Sequence, residues 1–136
     1  MLRSCFLIAN KLSYNCEKIE FSYYDWNEFK NFLDQLSDKD AAKLIATIQN
    51  IETYGLIISE RQQWIKKLES NLYEIRSQRS SNIQRALYFQ VQGTQYVITN
   101  AFTKKSQKTP ESERKIARNR RNQFFRQKEE HNEQNG

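Results

Sequence analysis

The chain of 136 residues is poor in the residues that cross-link small proteins or bind metals, with two cysteines and one histidine. Cys5 and Cys16 could pair, but two cysteines do not make a disulfide framework, so we expect free or buried thiols. The sequence has no CxxC and no HExxH motif, and His131 lies in a polar tail. We therefore predict neither a protein-built metal site nor a cofactor.

Long apolar runs are also absent. No segment approaches the roughly 18 residues of a membrane span, and the apolar residues 5–9 are too few, with the wrong flanks, for a secretory signal. We expect a cytoplasmic protein with no membrane partner. The length predicts one domain, placed at residues 19–128 between an N-terminal extension (1–18) and a disordered tail (129–136).

The charge of +6 is concentrated near the C-terminus. Residues 1–102 contain 12 Lys/Arg and 11 Asp/Glu, hence a net charge of +1. Residues 103–136 contain 10 Lys/Arg and 5 Asp/Glu, hence +5. This asymmetry suggests a polyanionic partner such as nucleic acid, although many basic tails are only solvated.

The first half of the chain reads as a strand followed by two helices. Residues 19–24 alternate between apolar and polar, as a half-buried strand does. Asp25 begins a capping box, Ser37 repeats the start signal, and apolar residues follow each at helical spacing. Gly55 is the predicted stop of the second helix. The short turn between the helices predicts a helical hairpin.

The second half reads as strands and a final helix. Residues 56–70 are ambiguous, and a period of two then predicts three strands. Thr109, Pro110 and Glu111 form a helix start, with a threonine cap, a proline in the first position and an early acid. That helix is predicted to run to about Lys128. The predicted strands are 72–76, 83–91 and 95–102.

This order predicts an α+β fold in which the helical hairpin covers one face of an antiparallel sheet. Alternation places Glu74 and Arg76 on the other face, which would stay open for function. Arg85 interrupts an apolar set on its strand and therefore needs a carboxylate or an anionic ligand. Glu74 is a possible carboxylate partner. Lys104 ends the last strand beside a helix start, where anions are favoured.

The chain resembles the Gp49-like, HigB-type toxins of the RelE/ParE superfamily in three segments, WIKKLESNLYEIR, RALYF and AFTKKSQKTP. The resemblance covers about residues 19–125. It implies a RelE-like fold, a bacterial or phage origin, and a HigA-like helix-turn-helix antitoxin as partner. It also implies cleavage of messenger RNA, commonly on the ribosome.

The resemblance further implies roles for individual residues. Arg76 and Arg85 match basic strand positions that serve catalysis or phosphate binding, and Lys104 matches a basic group after the last strand. Lys105 and Lys108 match the lysine motif of the family. The basic helix adds two RNA-binding candidates, Lys115 and Arg118.

The chain departs from its relatives at Asn100, where many of them carry a histidine. An amide cannot exchange a proton as imidazole does, so we name Glu74 as the replacement base. In the resulting hypothesis the RNA 2′-hydroxyl attacks the adjacent phosphate without a metal. Three alternatives stay open: a ParE-like toxin of DNA gyrase, a non-catalytic RNA-binding module, and a phage-derived protein that only binds its antitoxin.

Overall fold

The computed structural model describes residues 18–105 and 108–135, and it confirms the predicted α+β class. All of the predicted extension except Lys18 lies outside the described residues. None of the helices in the described part is long and apolar enough to cross a membrane. The helices are α1 (Trp26–Gln35), α2 (Asp38–Arg61) and α3 (Glu111–Asn135). The strands are β1 (Glu20–Tyr23), β2 (Ile65–Glu69), β3 (Leu72–Arg79), β4 (Asn82–Gln92) and β5 (Gln95–Thr103).

The five strands form one sheet in the order β1-β5-β4-β3-β2. Strands β2 to β5 make an antiparallel meander, but β1 pairs with β5 in parallel, Phe21 opposite Tyr96. The predicted antiparallel meander is therefore confirmed, and the parallel pairing of β1 makes the sheet as a whole mixed. Because α1 and α2 carry the chain from β1 to the far edge, no hairpin turn fixes the direction of β1.

Helices α1 and α2 begin where the sequence predicts. The Asp25 carboxylate accepts a hydrogen bond from the Glu28 amide at 3.0 Å, and the Ser37 hydroxyl accepts one from the Asp40 amide at 3.1 Å. Each bond satisfies a backbone donor that a helix start leaves without a partner. The apolar sides of both helices bury against one face of the sheet. This main core contains Ile19, Phe29, Leu44, Ile48, Ile51, Ile75, Ala86, Tyr88, Tyr96 and Ile98.

Gly55 interrupts α2 and divides it into two helical segments that meet at a kink. Its backbone has φ 83° and ψ 177°, a conformation that is essentially restricted to glycine, and the helix resumes and runs to Arg61. The helix therefore breaks at the residue where the sequence predicts a stop, and a second helical segment follows. The chain turns sharply at Gly55, but residues 56–61 form a further helical turn because they include good helix formers and no proline.

Strand β2, in the ambiguous stretch 56–70, is missing from the prediction. Lys66 and Lys67 are both exposed, and a bulge follows Lys67, so the period of two is broken. A bulge inserts one extra residue into a strand, so the side chains before and after it no longer follow one alternation. The backbone nevertheless pairs with β3, Lys66 opposite Glu74.

Helix α3 packs on the second face of the sheet, so that face is less open than we predicted. Ala117 is fully buried against Leu72 and Leu87. The centroid of the Phe89 ring lies 5.4 Å from that of the Phe124 ring and 5.5 Å from that of the Phe125 ring. The helix also continues through Asn135, beyond the predicted end at Lys128 and into the predicted disordered tail. Residues 129–135 contain no proline or glycine that would stop it.

Arginines fasten α3 to the rest of the fold. The Arg120 guanidinium donates to the Glu28 carboxylate and, at 2.7 Å, to the Thr99 carbonyl, and it lies over the Tyr24 ring. Arg121 donates to the Ser70 carbonyl at 2.8 Å. Part of the positive charge of the C-terminal segment therefore serves internal contacts and not only a partner.

Candidate active site

A cluster of four charged side chains lies on the α3 side of the sheet; we call Glu74, Arg76, Arg85 and Lys104 the basic cluster. Glu74 and Arg76 share one side of β3, as alternation predicted, and Arg85 on β4 lies directly opposite Arg76. Two like charges facing each other across strands destabilise a sheet. Glu74 offsets this repulsion because it faces both arginines. Its Oε1 lies 3.8 Å from the Arg76 Nε, and its Oε2 lies 3.8 Å from the Arg85 Nε.

The four members of the cluster differ in their access to solvent. The side chains of Glu74 and Arg85 are 2% and 5% exposed, whereas that of Arg76 is 32% exposed. Lys104 is half-buried. Arg76 and Lys104 are therefore the members that a solute reaches first, and Glu74 and Arg85 lie beneath them.

The buried Arg85 is only partly satisfied. Its Nη1 donates to the neighbouring Gln84 carbonyl at 3.2 Å. Its Nε, like that of Arg76, is buried and has no hydrogen-bond acceptor among residues 18–105 and 108–135. Burial lowers the pKa of Arg85 and Arg76 lowers it further, while Glu74 opposes both effects. A buried cation with a free donor is costly, and such a cost is typical of functional sites.

Lys104 joins the cluster from the end of β5. Its amide donates to the Ile83 carbonyl at 2.8 Å, which extends the ladder between β4 and β5 by one residue. Burial is the first cause that lowers the pKa of Lys104, and the positive charge of Arg85 is the second. Arg76 and Lys66 act in the same direction, and Glu74 opposes them.

Lys66 is a neighbour of the cluster that the sequence prediction did not include. It lies on β2 directly opposite Glu74, and its charge contributes to the lowered pKa of Lys104. The only sequence signal is the lysine pair in WIKKLES. That pair acquires meaning only once β2 is known to be a strand paired with β3.

Glu74 has one further partner, the hydroxyl of Thr109. This hydroxyl donates to Glu74 Oε2 at 2.7 Å, and both residues are buried. We predicted Thr109 as a helix cap, but α3 begins at Glu111 and the Pro110 carbonyl accepts its first bonds, from the amides of Glu113 and Arg114. Thr109 is bonded to the sheet, and its position before a proline disfavours a helical backbone there.

Of the four predicted RNA-binding residues, three are exposed and one is bound to carboxylates. Lys105, Lys108 and Lys115 are exposed. Lys115 lies about 200° around α3 from the buried Ala117, hence on its outer side. Arg118 is bound to two carboxylates, with Glu69 at 2.9 Å and Glu111 at 2.6 Å. Its charge is balanced within the protein.

Asn100 tethers β5 to the start of α3. Its side-chain amide donates to the Glu113 carbonyl and carboxylate, both at 3.3 Å, and its oxygen accepts from the Thr99 hydroxyl at 2.6 Å. These contacts are structural, and an amide offers no proton exchange. The described residues also contain no group of three His, Cys, Asp or Glu side chains that could hold a metal ion.

Comparison with known proteins gives one family match. The model of a family described as Phage derived protein Gp49-like (DUF891) matches residues 31–122. The match begins in α1, extends through β5 and ends in the middle of α3, so it contains every member of the basic cluster. No curated protein matches the chain.

Proposed function

The chain belongs to the Gp49-like family of phage-derived proteins, a toxin-like family of the RelE/HigB type, and from this premise we propose that it is a toxin that cleaves messenger RNA. In this proposal the protein inhibits translation, acts on ribosome-bound messages, and is neutralised by a HigA-like helix-turn-helix antitoxin. The gyrase-directed and non-catalytic alternatives remain outcomes of the experiments below.

The observation that carries the proposal is the excess of positive charge in the basic cluster. Three cations surround one carboxylate, which gives a net charge of +2, and two guanidinium Nε groups have no acceptor within the described residues. Ion pairs that serve stability alone usually balance their charges and satisfy their donors. A phosphate group is the kind of ligand that would balance this excess.

RNA supplies its own nucleophile, so the protein has four tasks in the cleavage step. It must hold the 2′-hydroxyl in line with the scissile bond, remove its proton, stabilise the doubly charged phosphorane and protonate the leaving oxygen. The 2′-hydroxyl transfers its proton to a solvent water molecule, and its oxygen forms a new bond to phosphorus as the bond to the 5′-oxygen breaks. The products are a cyclic phosphate and a free 5′-hydroxyl.

We assign the stabilisation of the phosphorane charge to Arg76, which is accessible. The positive charge of the buried Arg85 would add electrostatic stabilisation. Guanidinium remains charged and bonds two phosphate oxygens at once. Lys104 is assigned to the leaving oxygen, because a lowered pKa makes an ammonium group a better acid. Glu74 would orient the arginines and not act as the base, since Thr109 already donates to Oε2 and both oxygens face guanidinium groups.

The exposed lysines would bind the RNA backbone. Lys105, Lys108 and Lys115 would contribute a salt-dependent attraction that does not depend on sequence. Arg118, whose charge Glu69 and Glu111 already balance, would contribute less.

The test is growth and transcript mapping after induction in bacteria, with Arg76→Ala compared with Arg126→Ala. Both variants remove one arginine, but Arg126 is exposed on α3 and lies far along the helix from the cluster. We expect arrest and cuts within codons for the wild type and for Arg126→Ala. Arg76→Ala should cleave about 100-fold more slowly or worse, by analogy with the loss of one oxyanion-stabilising group.

Other outcomes would contradict the proposal in different ways. Growth arrest with DNA-damage signalling and intact transcripts would favour a gyrase toxin. Normal growth at confirmed soluble expression would favour a non-catalytic protein. Restoration of growth by a co-expressed helix-turn-helix antitoxin encoded beside the toxin is expected, and failure of that partner to bind would contradict this part of the proposal.

A further inference from the structure

The Thr109–Pro110 step places a hydroxyl over the sheet in place of a helix cap. Thr109 is 5% exposed, and its hydroxyl donates to the Glu74 carboxylate at 2.7 Å. Helical backbone is disfavoured for a residue that precedes proline, and the helix starts only after Thr109, at Glu111. The bond therefore joins the start of α3 to a buried carboxylate on β3.

The geometry around Glu74 is unusual for a carboxylate between two guanidinium groups. Such groups normally close to about 2.7–2.9 Å, whereas both arginine Nε atoms stay 3.8 Å from the Glu74 oxygens. That distance is too long for a hydrogen bond. The one hydrogen bond that fixes the direction of the carboxylate, among the contacts of the described residues, is that from Thr109.

We propose that Thr109 is a positioning residue that holds Glu74 between Arg76 and Arg85, so that neither guanidinium is neutralised by a direct hydrogen bond. The inference rests on the proposed function for its account of what the two cations serve. With the hydroxyl removed, the carboxylate would close on one arginine and form the short ion pair that the wild type lacks. That arginine would then have less charge to offer to a phosphate.

The direct test is NMR of the arginine Nε–H groups in the uniformly labelled full chain, with signals assigned by Arg76→Lys and Arg85→Lys. Thr109→Val keeps the shape and removes the hydroxyl, and Thr109→Ser restores it. We expect a downfield shift of one Nε proton in Thr109→Val and a wild-type spectrum in Thr109→Ser. The matched control is Thr47→Val, which removes another buried threonine hydroxyl, one that donates to the Lys43 carbonyl within α2. It should leave both Nε signals unchanged.

The functional readout is RNA cleavage by the same proteins. Thr109→Val should lower kcat about tenfold, the loss expected for one hydrogen bond to a charged group, with KM within about twofold of wild type. Thr109→Ser should recover most of this loss. If Thr109 had a purely structural role, Thr109→Val would lower the melting temperature and the fraction of active protein. The chemical shifts of the arginine Nε protons would then stay unchanged.

Two results would overturn the inference. The first is a wild-type spectrum in which an arginine Nε proton already shows a hydrogen bond to carboxylate, a result that needs no variant. The second is a Thr109→Val spectrum identical to wild type. If the Nε shift appears as expected but no protein cleaves RNA, the positioning role is supported and the proposed function is wrong, so the two failures are distinguishable.

Discussion

Replacing Glu74 by glutamine should destabilise the protein far more than replacing its buried partner Arg85. Glutamine keeps the size of the side chain and can still accept from Thr109, but it removes the only carboxylate that faces both arginines in the described structure. Arg76, which is about one-third exposed, can be solvated. Arg85, with a side chain 5% exposed, would be left buried without a counter-charge.

The expected loss for a stranded buried charge is about 3–5 kcal/mol of unfolding free energy. An unfolding entropy of roughly 2.1 cal/mol/K per residue over a chain of this length converts that loss to a fall of about 10–17 °C in melting temperature. By contrast, Arg85→Met should cost at most about 1 kcal/mol. Glu74 would keep Arg76 and Thr109 as partners, and methionine would replace a cation whose pKa burial lowers.

The assay is urea denaturation monitored by circular dichroism. The double variant Glu74→Gln/Arg85→Met completes a thermodynamic cycle with the two single variants. Removal of both partners should restore stability to within about 1–2 kcal/mol of wild type, because no buried charge is then unpaired. The reasoning is refuted if Arg85→Met is as destabilising as Glu74→Gln and the two losses add in the double variant. Strict additivity would mean that the two side chains do not interact.

Three further predictions concern other parts of the chain. Gly55→Ala should cost about 1–3 kcal/mol of unfolding free energy, because the backbone at φ 83° and ψ 177° excludes a β-carbon. Gly93→Ala is the milder control, since Gly93 has φ 54° and nothing lies within 4 Å of the added carbon. Equal losses of stability in the two variants, measured by urea denaturation, would contradict the kink. Lys104→Gln should be more stable than wild type near pH 7, since the lowered pKa of Lys104 means that folding disfavours its charged form, and the difference should shrink as the pH rises toward the ordinary lysine value of 10.5. A difference that stays constant along that pH series would contradict this assignment. A deletion that starts the chain at Lys18 should keep full toxicity in the induction assay, and loss of toxicity with soluble, folded protein would show that the extension is functional.

Much of the secondary structure follows from local sequence. Asp25 and Ser37 begin helices because their side chains accept from the helix amides, and strands β1, β3, β4 and β5 are visible in their period of two. Alternation alone places Glu74 and Arg76 on one face. The sequence also contains the motifs that resemble Gp49-like proteins, and the family match agrees with them. These are short-range properties, so the order of residues determines them.

The features that decide the character of the candidate site depend on distant residues and could not be predicted. Glu74 is buried beneath Thr109 and Arg85 is buried beside it, on a face that the sequence pattern predicts to be open. Lys66 becomes a neighbour of Lys104 only through the pairing of β2 with β3. The charge of the C-terminal segment suggested a polyanionic partner, but Arg118 and Arg120 are bound to carboxylates that lie as many as 92 residues away in sequence. The sequence fixes which charges the chain has, and the tertiary structure alone decides which of them are balanced, because that depends on distances between segments that no local pattern encodes.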